Sequence, residues 1–418
     1  MSNNPSDSDL DDRGKMSRRD FIKLLGATGA AITLPSLMPL GNAFGVSANT
    51  TGSIGSNASN ASSQANMTSS QLKTNTSSVY TFNLDATTPQ VSNSNGSRTT
   101  ANADNFPILS GMGMLLLRLE KGGVREPHWH PNASELSYCI KGQASMTIFS
   151  PVNNHDTFTI NPGEMTYVPK GYIHDIQNVG NEEAKFVIAY NNELPQDLGI
   201  SGSVGWMTNR VMDATFGIKP PGFFDQLNYK DQHDVVIAPK PAIVSPASYA
   251  VSTPNAHKFN LEAIPPQIQT PGGSVALGNA NSFPILDGLA LYSLRFKPGG
   301  IREPHWHPNA AELDYVIDGQ ARLTIFSPNG TGNTFEMGPG QIVFIPPAYF
   351  HYIENIDPAN TCHFAVFFNS ERPEDTGISG ALSSYSNEVL AATFNSDPTF
   401  FNTLPRIEQD VFLVSGAG

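Results

Sequence analysis

The stretch Arg125-Glu126-Pro127-His128-Trp129-His130-Pro131-Asn132-Ala133 returns 177 residues later as Arg302-Glu303-Pro304-His305-Trp306-His307-Pro308-Asn309-Ala310. The same offset carries His174 onto His351, and a later Gly-Ile-Ser-Gly at 199–202 returns at 377–380, one residue further on. A repeat this long indicates duplicated domains and not a solenoid, whose repeats are much shorter. We therefore predict one domain over residues 78–245 and a second over residues 246–418.

The segments around these motifs have the patterns of short strands. Ala144–Phe149 and Ala321–Phe326 alternate in a way that is typical of half-buried strands. Turn sequences such as Asn161-Pro162-Gly163-Glu164 separate such segments at the short spacing of a β-barrel or jelly roll. We predict an all-β protein in which each half ends in short helices, around residues 206–216 and 384–394.

The composition agrees with this fold class and limits the partners. Charged residues make up 15% of the chain, and 36 glycines and 32 prolines favour turns over long charged helices. The formal net charge of −13 argues against nucleic acid or an anionic membrane surface as a partner. Two cysteines, Cys139 and Cys362, are too few for a disulfide framework or a thiolate metal cage, and we predict both to be buried.

The N-terminal residues 1–43 resemble a twin-arginine export signal, because Arg18-Arg19 precede an uncharged stretch that ends at Gly41-Asn42-Ala43. Such a signal implies a periplasmic, cell-surface or extracellular protein, and the alternative is an uncleaved membrane anchor. Residues 44–77 are rich in Ser, Asn and Thr, so we predict a disordered tether. Apart from the signal segment, the sequence offers no candidate for a membrane span.

Four residues in each half have the spacing of metal ligands. His128 and His130 lie two apart, so in a strand both imidazoles point to the same face. Glu135 begins the next predicted strand, and His174 follows a turn that returns a later strand beside the first. The second half repeats this set as His305, His307, Glu312 and His351, so that six of the ten histidines fall at these positions. Two copies with the same spacing favour metal sites over hydrogen-bonded core histidines.

Three imidazoles and one carboxylate define the chemistry of each predicted site. A ligand set without thiolate suits Mn(II) or Fe(II) better than structural zinc, and it leaves two octahedral positions open for a substrate or dioxygen. The affinity order alone favours Cu(II) or Zn(II). Loading of the metal before export is a way to install the weaker-binding Mn(II) or Fe(II).

At these residues the chain resembles the cupins. The first half reads Gly123-x₄-His128-x-His130-x₄-Glu135-x₆-Gly142, followed by Gly163-x₅-Pro169-x-Gly171-x₂-His174-x₃-Asn178. The second half carries the same motifs from Gly300 to Asn355, with Ala348 in place of the usual turn glycine. Two such halves resemble the bicupin oxalate decarboxylases over residues 78–418.

This resemblance implies a double-stranded β-helix in each domain, Mn(II) at each of two sites, and cleavage of oxalate to formate and carbon dioxide. Dioxygen would be needed without being consumed, and the substrate would be a small carboxylate. The resemblance further implies a homo-oligomer, either a trimer or a hexamer.

A small dianion needs local positive charge to enter an acidic protein. Arg125 and Arg302 lie three residues before His128 and His305, an odd offset that regular alternation would direct outward. A bend at the intervening proline would return them to the metal, where a guanidinium binds a carboxylate through paired hydrogen bonds. The alternative is a salt bridge at the barrel rim.

Oxalate decarboxylases of this family carry a glutamate in a mobile Ser-Glu-Asn-Ser lid, and that tetrapeptide is absent here. The corresponding segments are residues 191–197 and 369–375. We predict that Glu193 and Glu371 in these segments supply the proton that makes formate. The alternative is an acidic surface loop without a chemical role.

Two other classes of function stay open. An oxalate oxidase, a dioxygenase or a superoxide dismutase-like protein would use the same metal sites without a lid acid, and the oxidase would release hydrogen peroxide. A non-catalytic storage or ligand-binding cupin would not need all eight ligands, which this chain retains. The two sites match at every ligand and at the arginine, so the sequence does not indicate which of them is catalytic.

Overall fold

The computed structural model describes residues 78–151, 154–227, 237–239, 255–409 and 411–416. The predicted export signal, the predicted tether and the predicted domain boundary at residue 245 lie outside these ranges. Within them the chain is built mainly of strands, which confirms the predicted all-β class. None of the helices in these ranges has the length and apolarity needed to cross a bilayer.

The described residues of the first half form thirteen strands, which are short and separated by turns. They are β1 (Thr81–Asn83), β2 (Val91–Asn93), β3 (Gly96–Ala101), β4 (Gly113–Leu119), β5 (Gly123–Trp129), β6 (Glu135–Lys141), β7 (Ala144–Ser150), β8 (Asn154–Ile160), β9 (Glu164–Val168), β10 (Ile173–Asn178), β11 (Ala184–Tyr190), β12 (Leu198–Gly199) and β13 (Ile237–Pro239).

The second half repeats this order. Its strands are β14 (Lys258–Asn260), β15 (Ile268–Thr270), β16 (Gly273–Gly278), β17 (Ala290–Phe296), β18 (Gly300–Trp306), β19 (Glu312–Asp318), β20 (Ala321–Phe326), β21 (Gly332–Met337), β22 (Gln341–Ile345), β23 (Phe350–Asn355), β24 (Cys362–Phe368), β25 (Thr376–Gly377) and β26 (Leu413–Ser415).

The strands form four antiparallel sheets, which pair into two jelly rolls. In the N-terminal jelly roll, the large sheet β14-β9-β6-β11-β4-β3-β2 is combined with β12-β5-β10-β7-β8, and β13 also pairs with β5. In the C-terminal jelly roll, the large sheet β1-β22-β19-β24-β17-β16-β15 is combined with β21-β20-β23-β18-β25, and β26 also pairs with β18. The sheets stay open at their edges, so each predicted barrel is a two-sheet jelly roll.

The two halves exchange one strand each. Strand β1 pairs with β22, with Thr81 opposite Val343, and β14 pairs with β9, with Lys258 opposite Thr166. Each large sheet therefore ends in a strand from the other half, which covers an edge that would otherwise be open to pairing with another chain. The first domain is predicted to begin at residue 78. The first strand after that residue, β1, belongs to the large sheet of the C-terminal jelly roll.

Three apolar cores hold this arrangement together. One lies between the sheets of the N-terminal jelly roll and includes Cys139, and another fills the C-terminal jelly roll and includes Cys362. Both cysteines are free and buried, as predicted. The third core joins the outer faces of the two large sheets, where Leu116 and Leu291 belong to the same cluster. Because most of β4 is buried on both faces, its sequence GMLLLRL is apolar at every position except Arg118 and does not alternate.

Short helices follow each jelly roll, as predicted. They are α1 (Ile200–Gly205) and α2 (Asn209–Phe216) in the first half, and α3 (Ile378–Ser383) and α4 (Asn387–Phe394) in the second. Single 3₁₀ segments lie at Phe224–Gln226, Leu261–Ala263 and Pro398–Thr403. The helical regions expose large apolar side chains, of which Trp206 is the most exposed at 85%.

Candidate metal centres

The N-terminal metal site is formed by neighbouring strands of the small sheet and the start of β6. His128 lies in β5 and His130 just after it, Glu135 begins β6, and β10 places His174 opposite His128. All four side chains are at most 2% exposed, and their ligand atoms lie within 4.8 Å of one another. The Nε2 atoms of His130 and His174 are 3.0 and 3.4 Å from Oε2 of Glu135. The predicted residues therefore meet around one point.

The C-terminal metal site repeats this geometry with His305, His307, Glu312 and His351. His351 lies opposite His305 in the pairing of β23 with β18. The Nε2 atoms of His307 and His351 are 2.8 and 3.3 Å from Oε2 of Glu312. Each half thus brings together its complete predicted set of three histidines and one glutamate.

Backbone carbonyls orient all six imidazoles. Each Nδ1 donates a hydrogen bond to a main-chain oxygen at 2.7–3.1 Å; the acceptors are Glu126, Gln196 and Tyr172 in the first half and Glu303, Glu374 and Tyr349 in the second. A proton fixed on Nδ1 leaves the lone pair on Nε2 for a metal. This support by an outer hydrogen bond is usual for histidines that bind metals.

Several buried atoms of these sets make no hydrogen bond within the described residues, including Nε2 of His128, Nε2 of His351 and Oε2 of Glu312. A buried polar atom without a partner costs about 1–3 kcal/mol, and a divalent cation would satisfy these lone pairs together. Three neutral imidazoles and one carboxylate suit Mn(II) or Fe(II). The residues present therefore fit one metal ion at each site.

Burial and neighbouring charges set the protonation of the N-terminal ligands. Burial and the Arg125 guanidinium hold the pKa of His128 well below its usual value. Burial opposes ionisation of Glu135, but the neighbouring histidines lower the pKa of its carboxyl well below the usual range. Burial also opposes protonation of His130, yet hydrogen bonds to Asp197 and Glu135 raise its pKa to about 9. A metal that enters this site therefore displaces a proton from His130.

A β-bulge turns the predicted arginines inward. Between β5 and β10, Arg125 lies opposite Ile176 and His128 opposite His174, so β5 has one extra residue between these pairs. The extra residue reverses the alternation, and a proline is tolerated at such a bulge. Arg125 is only 1% exposed, and its Nε and Nη1 atoms make no hydrogen bond within the described part of the chain. The same bulge buries Arg302 to 2% exposure.

The predicted acids Glu193 and Glu371 each bind a backbone amide in this structure. Oε2 of Glu193 accepts a hydrogen bond from the backbone N–H of Gly111 at 2.8 Å, and Oε2 of Glu371 accepts one from Gly288 at 3.1 Å. Neither glutamate belongs to a four-residue metal group. In this structure a backbone amide therefore holds each carboxylate, and the role of both glutamates as proton donors after the loop closes stays a prediction.

Asp197 is the acid of the first segment that reaches the metal site. Its Oδ1 atom is 2.8 Å from Nδ1 of His130, and its Oδ2 atom accepts hydrogen bonds from Arg125 at 3.0 Å and from Arg98 at 2.9 Å. Burial opposes ionisation, but Arg125 and His130 lower the pKa of Asp197 well below its usual range. The carboxylate is thus held in place by two guanidiniums and one imidazole.

Asp375 is the matching acid of the second segment. It pairs with Arg302 and lies 3.8 Å from Nδ1 of His307, but Val275 stands where the first half has Arg98. Burial raises the pKa of Asp375. Sequence analysis missed both aspartates. The signal that could have found them is their common position two residues before the repeated Gly-Ile-Ser-Gly.

Two asparagines of the repeated stretch hold these segments over the sites. Asn132 accepts a hydrogen bond from the N–H of Gln196 at 2.9 Å and donates one to the carbonyl of Leu194 at 2.9 Å. Asn309 makes the matching bonds to Glu374 and Arg372, at 2.8 and 3.0 Å. The repeated asparagine therefore has a structural role, which is to hold this segment through two backbone hydrogen bonds. Its position in the sequence did not reveal that role.

The surroundings of the two ligand carboxylates differ. Ser137 donates a hydrogen bond to Oε1 of Glu135 at 2.9 Å, and the Tyr190 hydroxyl donates one to Oε2 at 3.2 Å. The repeat places Asp314 and Phe368 at these two positions. Asp314 is fully buried, and burial together with the ligand glutamate raises its pKa well above the usual range. The two sites therefore share their metal ligands but differ in the side chains around the ligand glutamate.

Comparison with known proteins agrees with this geometry. The cupin family profile matches residues 82–221 and 259–400, and a profile of twin-arginine translocation (TAT) pathway signal sequences matches residues 15–35. The chain belongs to the cupin family, and the signal match supports export. Because it carries two cupin domains, it is a bicupin, and it is similar to oxalate decarboxylases.

The sequence relatives include two oxalate decarboxylases and a germin-like protein. The oxalate decarboxylase of Bacillus subtilis (strain 168) is 28% identical over 320 residues, which cover 73% of this chain and 80% of the relative. A probable oxalate decarboxylase of Arthroderma benhamiae is 28% identical over 285 residues, covering 67% of this chain and 70% of the relative. Germin-like protein subfamily T member 3 of Arabidopsis thaliana is 30% identical over 132 residues, covering 30% of this chain and 58% of the relative.

Solved structures show the same likeness. The structure of the Bacillus subtilis oxalate decarboxylase at pH 4.6 aligns with a TM-score of 0.71 at 25% identity, covering 82% of this chain and 89% of that chain. The alignment extends over both jelly rolls, so the double-stranded β-helix predicted for each domain is confirmed.

Proposed function

We propose that this protein is an exported, Mn(II)-dependent carboxy-lyase that converts oxalate to formate and carbon dioxide. The observation that carries the proposal is a buried arginine beside each complete set of three histidines and one glutamate. The similarity to oxalate decarboxylases over about two thirds of the chain or more supports the same reaction class.

Arg125 has the position needed to bind one carboxylate of the substrate. Its guanidinium is buried and shares Asp197 with the metal ligand His130. In a site that excludes water, paired hydrogen bonds from a guanidinium hold a carboxylate firmly and favour the withdrawal of electron density from it. A bound Mn(II) would supply two open coordination positions and one-electron chemistry with dioxygen.

The reaction needs one proton. In the oxalate dianion the carbon–carbon bond breaks, one carboxylate leaves as carbon dioxide, and a proton joins the remaining carbon to give formate. Asp197 and Asp375 are the acids beside the ligands in this structure. Glu193 and Glu371 would reach the site only after release from their backbone amides.

Manganese is the metal that we propose for both sites, with Fe(II) as the alternative. The ligand set lacks sulfur, and it fits a divalent ion with open positions. A solved structure of the Bacillus subtilis oxalate decarboxylase concerns the Mn(II) centres of that protein. Dioxygen is proposed as the co-catalyst, or as a co-substrate if the reaction is an oxidation.

The test is to measure the products of oxalate with natively exported protein. We expect about two Mn per chain by elemental analysis, and formate and carbon dioxide as products when dioxygen is present. A protein that contains mainly zinc would contradict the proposed metal. A protein that forms neither formate nor hydrogen peroxide from oxalate at any pH would contradict the proposed reaction.

An oxalate oxidase is the second candidate, and one observation favours it. Both predicted acids are fastened to backbone amides, and Asp197 is held in ion pairs. Without a proton donor, oxalate would lose two electrons to dioxygen, so that two carbon dioxide molecules and one hydrogen peroxide form with uptake of two protons. Hydrogen peroxide in a one-to-one ratio with consumed oxalate would identify this reaction.

We also infer a homo-oligomer, either a trimer or a hexamer. The large apolar side chains on the helical regions are more than half exposed: Trp206, Phe216, Phe394 and Phe400. A subunit interface would remove this apolar surface from water. Light scattering that gives a monomer mass would contradict this inference. We propose a periplasmic, cell-surface or extracellular location, which fractionation of cells would test.

A further inference from the structure

A polar cavity of about 130 Å³ lies beside the N-terminal metal site. Its lining includes Arg98, Thr100, Leu115, Tyr190 and Asp197. Two of these residues contact the ligand set directly, since the Tyr190 hydroxyl is 3.2 Å from Glu135 and Asp197 is 2.8 Å from His130. At about 30 Å³ per water, the cavity has room for roughly four waters or for one small carboxylate.

The C-terminal jelly roll replaces four residues of this lining. The substitutions from the first half to the second are Arg98 to Val275, Thr100 to Leu277, Leu115 to Tyr292 and Tyr190 to Phe368. The strand register confirms their equivalence, because Thr100 lies opposite Leu115 and Leu277 lies opposite Tyr292. The other lining positions, Gln90, Asn102, Pro195 and Asp197, have identical counterparts in the second half. The two linings therefore differ at four positions only, and each substitution makes the lining of the second half less polar or bulkier.

Two aromatic rings occupy the corresponding region of the C-terminal jelly roll. Tyr292 and Phe368 are 8% and 2% exposed, and their ring centroids are 4.9 Å apart. Phe368 also packs against the imidazole of the ligand His307, with centroids 4.9 Å apart. Tyr190 packs against the ligand His130 in the same way, with centroids 4.8 Å apart, so the second half differs in lacking this hydroxyl and in having the ring of Tyr292 where the first half has Leu115.

The two regions also differ in charge, because the first half has more positive charge at this place. Arg98 and Arg125 share one carboxylate, that of Asp197, so two guanidiniums flank one aspartate. At the matching place in the second half, Arg302 pairs with Asp375, and Val275 replaces the second arginine. Side chains of Arg98 and Arg125 are 15% and 1% exposed, and charges act more strongly when water is excluded. A planar guanidinium also matches the geometry of a carboxylate.

We propose that this cavity is a carboxylate subsite of the N-terminal jelly roll, in which Arg98 receives oxalate or a similar small dianion for the adjoining metal site. The C-terminal jelly roll offers no such subsite, because Val275, Leu277 and Tyr292 stand where the first half has Arg98, Thr100 and Leu115. The identity of the anion rests on the proposed function, whereas the asymmetry between the two sites rests on the structure.

The test is a titration of the Mn-loaded full-length protein with oxalate in oxygen-free buffer, followed by Mn(II) electron paramagnetic resonance. We expect oxalate to change the signal of about half of the bound Mn at its first midpoint. Arg98→Val should raise that midpoint about tenfold or more, the size expected for loss of a charge-assisted contact. Thr100→Leu, which fills the cavity without removing a charge, should raise it as well.

Arg322→Val is the matched control, because it removes an arginine whose partner Glu336 is largely exposed. This variant should keep the wild-type midpoint, and every variant should retain about two Mn per chain. Arg98→Lys tests the subsite if Arg98→Val does not fold, and it should also bind oxalate more weakly.

The inference is overturned if the Arg98 and Thr100 variants keep the midpoint within about twofold, if both Mn ions respond together, or if oxalate changes no signal. An Arg98-dependent response without formate production would reject only the proposed reaction, whereas formate production with an unchanged midpoint would reject only the subsite.

Discussion

The N-terminal and C-terminal jelly rolls carry the same metal ligands on the same strands, but the residues around those ligands have diverged. Glu135 accepts hydrogen bonds from Ser137 and Tyr190, whereas the second half has Asp314 and Phe368 at those positions. The first half places a second arginine, Arg98, on the acid beside the site, and the second half does not. Retention of the ligands therefore does not make the two sites equivalent, and substrate access is expected to separate them.

The largest effect is expected when a ligand is removed from one site at a time. We predict that His174→Gln lowers the Mn content from about two to about one per chain and lowers formate production by about 100-fold or more, since a bound metal stabilises charge in the transition state by several kcal/mol. His351→Gln should cause the same loss of Mn but a smaller loss of activity. Elemental analysis and a formate assay measure both quantities.

His155→Gln is the control for the ligand variants, because His155 is exposed and lies outside both sets. It should keep both the Mn content and the activity. If His351→Gln abolishes formate production while His174→Gln retains it, the assignment of the N-terminal site as the catalytic one is wrong.

The next effect concerns the buried arginines. Arg125→Lys should lower kcat/KM for oxalate by about 100-fold, because a lysine cannot make the paired hydrogen bonds of a guanidinium. Arg302→Lys should lower it much less, since the second half lacks the polar cavity that adjoins the N-terminal site and has Tyr292 and Phe368 packed together at the equivalent positions. Arg295→Lys, at an arginine with a 42% exposed side chain, is the control. Equal losses for Arg125→Lys and Arg302→Lys would indicate that both sites turn over.

A smaller effect is expected for substitutions of the acidic residues in segments 191–197 and 369–375. Asp197 holds the buried Arg125 and the ligand His130 in place, so Asp197→Asn should lower the formate yield about tenfold and raise the share of hydrogen peroxide. Glu193→Ala and Glu371→Ala, at residues bound to backbone amides, should change the product ratio little. Measurement of formate and peroxide in each variant decides between them. A loss of formate in Glu193→Ala that Asp197→Asn does not show would support the role of Glu193 predicted from the sequence.

Much of this architecture could be predicted from the sequence, because the repeat and the spacing of His128 and His130 are local patterns. The inward position of Arg125 depends on a β-bulge, which changes the register of two strands and leaves no local pattern besides Pro127. Likewise, the exchange of β1 and β14 is a long-range pairing that periodicity does not encode. Asp197 was missed because its contacts with Arg98 and His130 join residues distant in the chain.

The smallest effect concerns the contact between the large sheets, where Lys185 of the first half corresponds to His363 of the second. Lys185 pairs with Asp85 at 2.9 Å, whereas His363 is buried and contacts the Ser293 hydroxyl at 2.9 Å. Burial and the nearby Arg295 lower the pKa of His363 to about 4. The unfolded chain, with a histidine pKa of about 6.5, therefore binds one more proton between these two values.

It follows that the free energy of unfolding should fall as the pH falls from about 6.5 towards about 4, by at most about 1.4 kcal/mol per pH unit from this residue. Above pH 6.5 His363 is neutral in both states and contributes no pH dependence. His363→Gln keeps a hydrogen-bonding group for Ser293 and should flatten the decline, as denaturant unfolding at pH 7.5, 6 and 5 would show. Lys185→Gln, which removes the ion pair with Asp85 and leaves His363 unchanged, should lower stability by a similar amount at all three pH values. If the free energy of unfolding of His363→Gln falls with pH as steeply as that of the wild type, the acid sensitivity comes from other groups. Titration of His363 would then not distinguish the two sheet contacts.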